Sequence, residues 1–177
     1  MTTYIAFLRG INVGAHNRMK MDALRDLCRS LGFEHVRTYI QSGNVVFETD
    51  DSAANELEDE LVDAVEASFG YDISVMVRTR DELHEIIGRC PFAQPEDETT
   101  KLYVSFLNDC PDDEQIRTLS AAGNDAEEFE TMNREVYSRI RTDERKSGQF
   151  TDVGDVLGIP ATRRTWNVVT RVHELAR

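Results

Sequence analysis

Apolar and polar positions along this chain keep two different periods, and each change of period marks an element. Tyr4-Ile5-Ala6-Phe7-Leu8 is apolar at every position, which predicts a strand buried on both faces. Met21, Leu24, Leu27, Cys28 and Leu31 then recur at spacings of three and four, which predicts a helix over 21–31. Gly32 stands where a left-handed cap closes such a helix. Over 35–41, Val36, Thr38 and Ile40 alternate with Arg37, Tyr39 and Gln41, and Ser42-Gly43 reads as a tight turn into a strand over 44–48. Asp50-Asp51-Ser52 offers N-caps for a second helix. That helix buries Ala54, Leu57, Leu61, Val65 and Phe69, presents Glu56, Asp59, Glu60, Asp63 and Glu66 to solvent, and ends at Gly70. A cleanly alternating strand over 73–78 closes the set.

The order β-α-β-β-α-β is the split βαβ arrangement of ferredoxin-like folds. In it the first two strands run parallel through a right-handed crossover, with the third between them and antiparallel to both. The loop after the first strand and the hairpin after the second must therefore open at one end of the sheet. Arg9-Gly10 is expected beside Asn44, with Gly70-Tyr71 reaching the same end.

Thr79 caps a third helix ending near Gly88, and Cys90-Pro91 stops it. Residues 91–99, with two prolines and three acids, read as a linker between an N-terminal half (1–90) and a C-terminal half (100–177). The second half predicts a strand over 101–107, a helix opened by Pro111-Asp112-Asp113, strands over 127–132 and 135–140, and helices over 150–157 and 163–176. This repeats β-α-β-β-α in outline, although the halves share no obvious sequence similarity. The expected fold class is α+β: two packed ferredoxin-like halves, mostly antiparallel, each covering a sheet of the other.

A chain of 177 residues buries about 70% of its unfolded surface, enough for one domain or two small, closely packed ones. No apolar run approaches the roughly 20 residues of a membrane span. The N-terminus has no basic region before Tyr4 and no small-residue cleavage site, so no signal peptide is expected. Cys28, Cys90 and Cys110 stand far apart without a CxxC pair, which fits free thiols in a reducing cytoplasm. Cys28, on the apolar face of its helix, reads as core.

Charge changes the picture more. There are 33 acidic residues against 17 arginines and 3 lysines, Lys20, Lys101 and Lys146, for a net charge of −13. Residues 51–133 carry a net −17, whereas 1–50 carry +1 and 134–177 carry +3. Dense carboxylate with scarce lysine favours adaptation to a salt-rich cytoplasm, where a Debye length of about 3 Å at 1 M screens the self-repulsion. An ordinary acidic protein keeps more of its lysines. The negative field makes nucleic acid an improbable partner.

No catalytic or metal-binding constellation stands in the sequence. His16, His35, His84 and His173 have no ligand spacing, His84-Glu85 lacks the second histidine of a metalloprotease helix, and Ser42 and Ser147 lack a nucleophile-elbow frame. No cofactor motif is present. What remains is the stretch Arg9-Gly10-Ile11-Asn12-Val13-Gly14, a polar, glycine-bearing loop that leads from a strand into a helix. Such loops present backbone N–H groups to anions. The candidate ligand-binding set is Arg9, Gly10, Asn12, Gly14, Asn17, Lys20, Ser42, Gly43, Asn44 and Arg164. Lys20 would supply charge, the amides and hydroxyl orientation, and the glycines close backbone approach. Arg18 adds to the loop's charge, and Arg141, Arg145, Lys146, Arg163 and Arg164 form a second basic group near Trp166. Trp166, Val169, Val172 and Leu175 fall on one helical stripe, so Trp166 reads as core. Three functions fit: a module binding an anionic small molecule, an enzyme acting on a phosphorylated or carboxylated metabolite, and a protein-interaction scaffold.

Residues 4–14, then Met19-Lys20-Met21 with Leu24, then Thr38-Tyr39-Ile40-Gln41-Ser42-Gly43-Asn44-Val45-Val46-Phe47 resemble domain-of-unknown-function family 1697. The likeness continues more loosely through Pro91-Phe92, Lys101-Leu102-Tyr103-Val104 and the Trp166 helix. It implies an α+β fold of two ferredoxin-like halves and no assigned activity. Two positions depart from the family pattern. Ser147-Gly148 stands where it favours Ser-Lys, and Arg164-Thr165-Trp166 where it favours Arg-Asn-Trp.

Overall fold

The computed structural model describes residues 1–95, 97–143 and 151–177. The chain forms two compact units, Met1–Glu85 with Arg171–Arg177, and Ile86–Thr170. The last seven residues thus belong with the first unit, whereas the sequence reading placed them in the C-terminal half.

The first unit runs β1 (Thr2–Leu8), α1 (Met21–Ser30), β2 (Glu34–Tyr39), β3 (Asn44–Thr49), α2 (Ala54–Phe69), β4 (Val75–Thr79) and the first turns of α3 (Arg80–Gly88). Its sheet has the order β2-β3-β1-β4 with every neighbouring pair antiparallel, the ferredoxin-like arrangement. Phe7 pairs with Asn44 and Leu8 with Val75, so the end of β1, the start of β3 and the start of β4 meet at one end of the sheet. That is the geometry expected from element order.

The core under α1 and α2 joins Tyr4, Ala6 and Leu8 to Leu24, Cys28, Phe47, Leu57, Leu61 and Val65. Ile5, Phe7 and Met76, on the other face, are also fully buried, as a strand apolar on both sides requires. Burial pushes the Cys28 thiol up to about 12, so it stays protonated and behaves as a small apolar side chain. Gly70 caps α2 at a φ of 73°. The cap at the other end differs from expectation. The N-cap of α2 is Ala53, without a side-chain bond, because Ser52 is fastened elsewhere. The Tyr4 hydroxyl donates to the Ser52 carbonyl at 2.9 Å and accepts from its N–H at 3.0 Å.

The second unit contains β5 (Thr100–Leu107), α4 (Asp113–Ala121), β6 (Glu127–Met132), β7 (Glu135–Arg141), α5 (Val153–Leu157), β8 (Ala161–Thr165) and the start of α6 (Trp166–Leu175). Asp112 caps α4 in a reciprocal box with Gln115. The strand β8 replaces the first turn of the helix expected over 163–176. Arg163 and Arg164 hide it, since an Arg-rich segment shows no apolar alternation. Instead Arg163 lays its guanidinium over the Tyr103 ring at 4.7 Å. Thr165, at the end of β8, then caps α6 by accepting from the Val168 N–H at 3.2 Å. Thr is among the preferred N-cap residues, somewhat below Asn, so Thr165 supports the helix start. Arg145, Lys146, Ser147, Gly148 and Phe150 lie outside the described residues.

With β8 present, the second sheet has the order β6-β7-β5-β8 and matches the first strand for strand. The match extends to register. Leu8 pairs with Val75 and Phe7 with Asn44; Leu107 pairs with Ala161 and Phe106 with Glu135. This alignment sets Tyr4-Ile5-Ala6-Phe7-Leu8 on Tyr103-Val104-Ser105-Phe106-Leu107, and Arg78-Thr79 on Arg164-Thr165. The halves do share sequence, at positions that only the pairing of strands reveals.

Candidate functional site

The loop after β1 is fixed at its base by two backbone bonds. Leu8 donates to the Gly43 carbonyl and Arg9 to the Ser74 carbonyl, each at 2.9 Å. Its middle is folded by asparagines held at left-handed φ, Asn12 at 54° and Asn17 at 49°, a region asparagine tolerates better than most residues. The Asn12 side-chain amide donates to the carbonyls of Met19 at 2.9 Å and Gln41 at 2.8 Å, and its oxygen accepts from the Met19 N–H at 2.8 Å. The Asn12 backbone N–H donates to the Asn17 carbonyl at 3.0 Å, and the Asn17 amide reaches back to the Gly10 carbonyl at 3.0 Å. The Tyr71 hydroxyl donates to the Arg18 carbonyl at 2.6 Å, while Ile11 and Met19 are buried in the core below. Asn12 therefore latches the loop to the β2–β3 hairpin.

Placing the candidate residues changes their roles. Asn44 is fully buried and donates to the Tyr39 carbonyl at 2.9 Å and the Ser42 hydroxyl at 3.0 Å. It cannot line an exposed surface as expected. Gly43 is also buried, with its α-carbon against Ile11 and Leu8. Asn12, Asn17 and Ser42 hold the scaffold, because a tight loop must satisfy its own carbonyls. Arg164 lies in the second unit, where it donates to the Thr162 hydroxyl at 2.7 Å, and burial lowers its pKa to about 10. It fills the place that Arg78 fills in the first unit. A buried arginine on the fourth strand is thus a repeated feature of the fold.

What the loop presents outward is a second set of groups. His16, Arg18 and Lys20 are exposed, and so are Gly10 and Gly14. Lys20 is the N-cap residue of α1 and makes no side-chain cap bond, so Arg18 and Lys20 adjoin in sequence a helix start whose first turn also carries Asp22. Val13 and Ile40 are 60% and 49% exposed, and each adjoins one partner of the Asn12–Gln41 bond. Ile40 is also held at a φ of 49°, a genuine outlier for a β-branched residue. Sequence reading missed the exposure of Val13, the turn at Ile40, which it placed in the alternating strand over 35–41, and the brace at Tyr71.

Fold and site together define a twofold-repeated α+β protein with one latched, partly basic loop at a sheet end of its first unit. Residues 1–137 match the family described as "Protein of unknown function (DUF1697)", and the chain belongs to that family. No curated protein matches the chain. A solved structure similar to it is described as conserved bacterial protein SP0830 from Streptococcus pneumoniae. That chain is 20% identical, aligns over 99% of both chains and superposes with a TM-score of 0.74, which establishes the shared fold. No helix among the described residues is long and apolar enough to cross a membrane.

Proposed function

We propose that this chain is a binding module whose recognition surface is the β1–α1 loop, taking an anionic small molecule against the start of α1. The observation that carries this reading is that exposed Arg18 and Lys20 adjoin the start of α1, where the N-cap residue Lys20 makes no side-chain cap bond, on a loop latched by Asn12. Cations and oriented N–H groups attract carboxylate or phosphate, and a rigid loop loses little entropy on binding. Val13 and Ile40 supply an apolar rim, so the favoured ligand joins an acidic group to an apolar body.

A thermal-shift screen of organic acids and phosphate esters finds the ligand, and calorimetry on variants tests the site. Lys20→Ala should weaken binding about tenfold, the scale of one exposed charge-assisted bond. Glu56→Ala, on an exposed face of α2, should leave it unchanged. Equal affinities for both variants would remove the loop from the site.

The exposed, strained Ile40 favours a second reading, a protein docking surface at the same sheet end. Ile40→Asn relieves the left-handed strain and removes the apolar contact. Loss of a partner protein with small-anion binding intact would favour docking; unchanged partner binding would count against it.

The chain also reads as an inhabitant of a salt-rich, reducing cytoplasm. Cys28, Cys90 and Cys110 are all free, and Glu56, Asp59, Glu60, Asp63 and Glu66 of α2 are all exposed. Urea midpoints should rise as KCl increases from about 0.1 M into the molar range, because screening removes the repulsion of the net −17 segment. A flat or falling series would refute salt adaptation.

A further inference from the structure

The first unit carries a cleft that neither the loop nor the family accounts for. Its volume is about 350 Å³, and Arg80, Asp81 and His84 of α3 line it together with His173 of α6 and Arg177. The His84 and His173 rings are stacked, with centroids 5.3 Å apart and planes 29° apart. Four of the five lining side chains are arginine or histidine, in a chain whose net charge is −13. The single carboxylate, Asp81, lies 3.7 Å from Arg80 Nε and offsets one guanidinium.

We propose that this cleft binds a phosphate group, and that His84 and His173 make the binding depend on pH. Two guanidiniums supply planar donor forks matched to phosphate oxygens, and each imidazolium adds a charge-assisted donor. The volume holds the phosphate and a small substituent, at the lower end of ordinary ligand sites. Stacked rings present their faces to one another rather than converging in-plane lone pairs. Among the described residues no group of three or more His, Cys, Asp or Glu has metal-binding geometry. An anion fits this arrangement better than a cation does.

Without an anion His173 resists protonation. Burial, foremost, and then the charges of His84, Arg177 and Arg80 hold the His173 pKa below its ordinary 6.5, while Glu174 opposes them. The folded chain therefore binds that proton more weakly than the unfolded chain. Its stability is full above the ordinary range and falls as pH drops through it. A phosphate seated in the cleft beside the stacked rings reverses this by favouring the imidazolium forms.

Histidine NMR titrations of the whole chain, with and without inorganic phosphate at matched ionic strength, test the proposal. The His84 and His173 midpoints should rise saturably with phosphate, while His35 stays fixed. Phosphate affinity should fall about tenfold per pH unit above the midpoint for one linked proton. His173→Gln should flatten this dependence, and Arg80→Gln should weaken binding at least about tenfold. Glycerol 3-phosphate binding more tightly than inorganic phosphate would point to an ester as the natural form, and weaker binding to the free ion. His84 and His173 midpoints that ignore phosphate, or an Arg80→Gln chain that binds as well as the parent, would overturn the proposal. His16 reports the β1–α1 loop independently. Its response alone would support the loop site and refute this one.

Discussion

Replacing Gly43 with alanine should destabilise the chain by about 3 kcal/mol, combining left-handed strain with overpacking. Gly43 sits at a φ of 91°, and a Cβ there would lie 2.9 Å from both Ile11 Cδ1 and Leu8 Cβ. Leu8 Cβ is fixed to the backbone of β1, and the Ile11 Cδ1 methyl, although the end of its side chain, is buried in the core and has little room to move. Gly70 provides the comparison. Its φ is 73° and a Cβ there meets nothing within 4 Å, so Gly70→Ala isolates the strain, about 1 kcal/mol. Urea unfolding of both variants separates the effects. If Gly43→Ala costs no more than Gly70→Ala, the close approach of hairpin and loop is not a packing constraint. The outcome matters for function, because the same approach positions Gln41 to accept from Asn12.

Glu58→Ala should cost about 3–5 kcal/mol, the range for removing one member of a buried ion pair. Glu58 stands on the buried side of α2, where Oε1 accepts the Val77 N–H at 2.9 Å and lies 4.0 Å from Arg78 Nη1. The Arg78 and Glu58 side chains are only 1% and 7% exposed, so little solvent screens the charge that remains. Glu58→Gln keeps an acceptor for Val77 and should fall between alanine and the parent. Glu60→Ala, at an exposed position of the same helix, should stay within about 0.5 kcal/mol. A Glu58→Ala chain as stable as Glu60→Ala would mean that Arg78 draws its compensation from elsewhere.

Glu58 also marks a limit of sequence reading. Its neighbours Leu57 and Leu61 announce a buried stripe, and the acids of α2 announce a solvated face, yet nothing local says that one glutamate joins the core. Its partner is a backbone N–H of β4, and the pairing of β1 with β4 sets that position. Arg163 and Arg164 hid β8 in the same way, because an edge strand that lays Arg163 over the Tyr103 ring needs no alternating pattern. The repeat Tyr4–Leu8 on Tyr103–Leu107 was in the sequence throughout. It emerged only when strand register supplied the alignment.

The sequence by itself determined the strands, helices and sheet order of the first unit, because hydrophobic period and turn chemistry act over a few residues. It also determined that the β1–α1 loop, the β2–β3 hairpin and Tyr71 meet at one sheet end, since that follows from strand order alone. Tertiary structure decided what the polar groups do once there. Asn12, Asn17 and Asn44, which read as ligand contacts, became internal braces; Val13 and Ile40 came to the surface; and His84 and His173, without any common motif, came to stack. The physical reason is one of range. Apolar burial is foretold by spacing along the chain, whereas a polar side chain's fate depends on which distant carbonyl, ring or charge the folded sheet delivers to it.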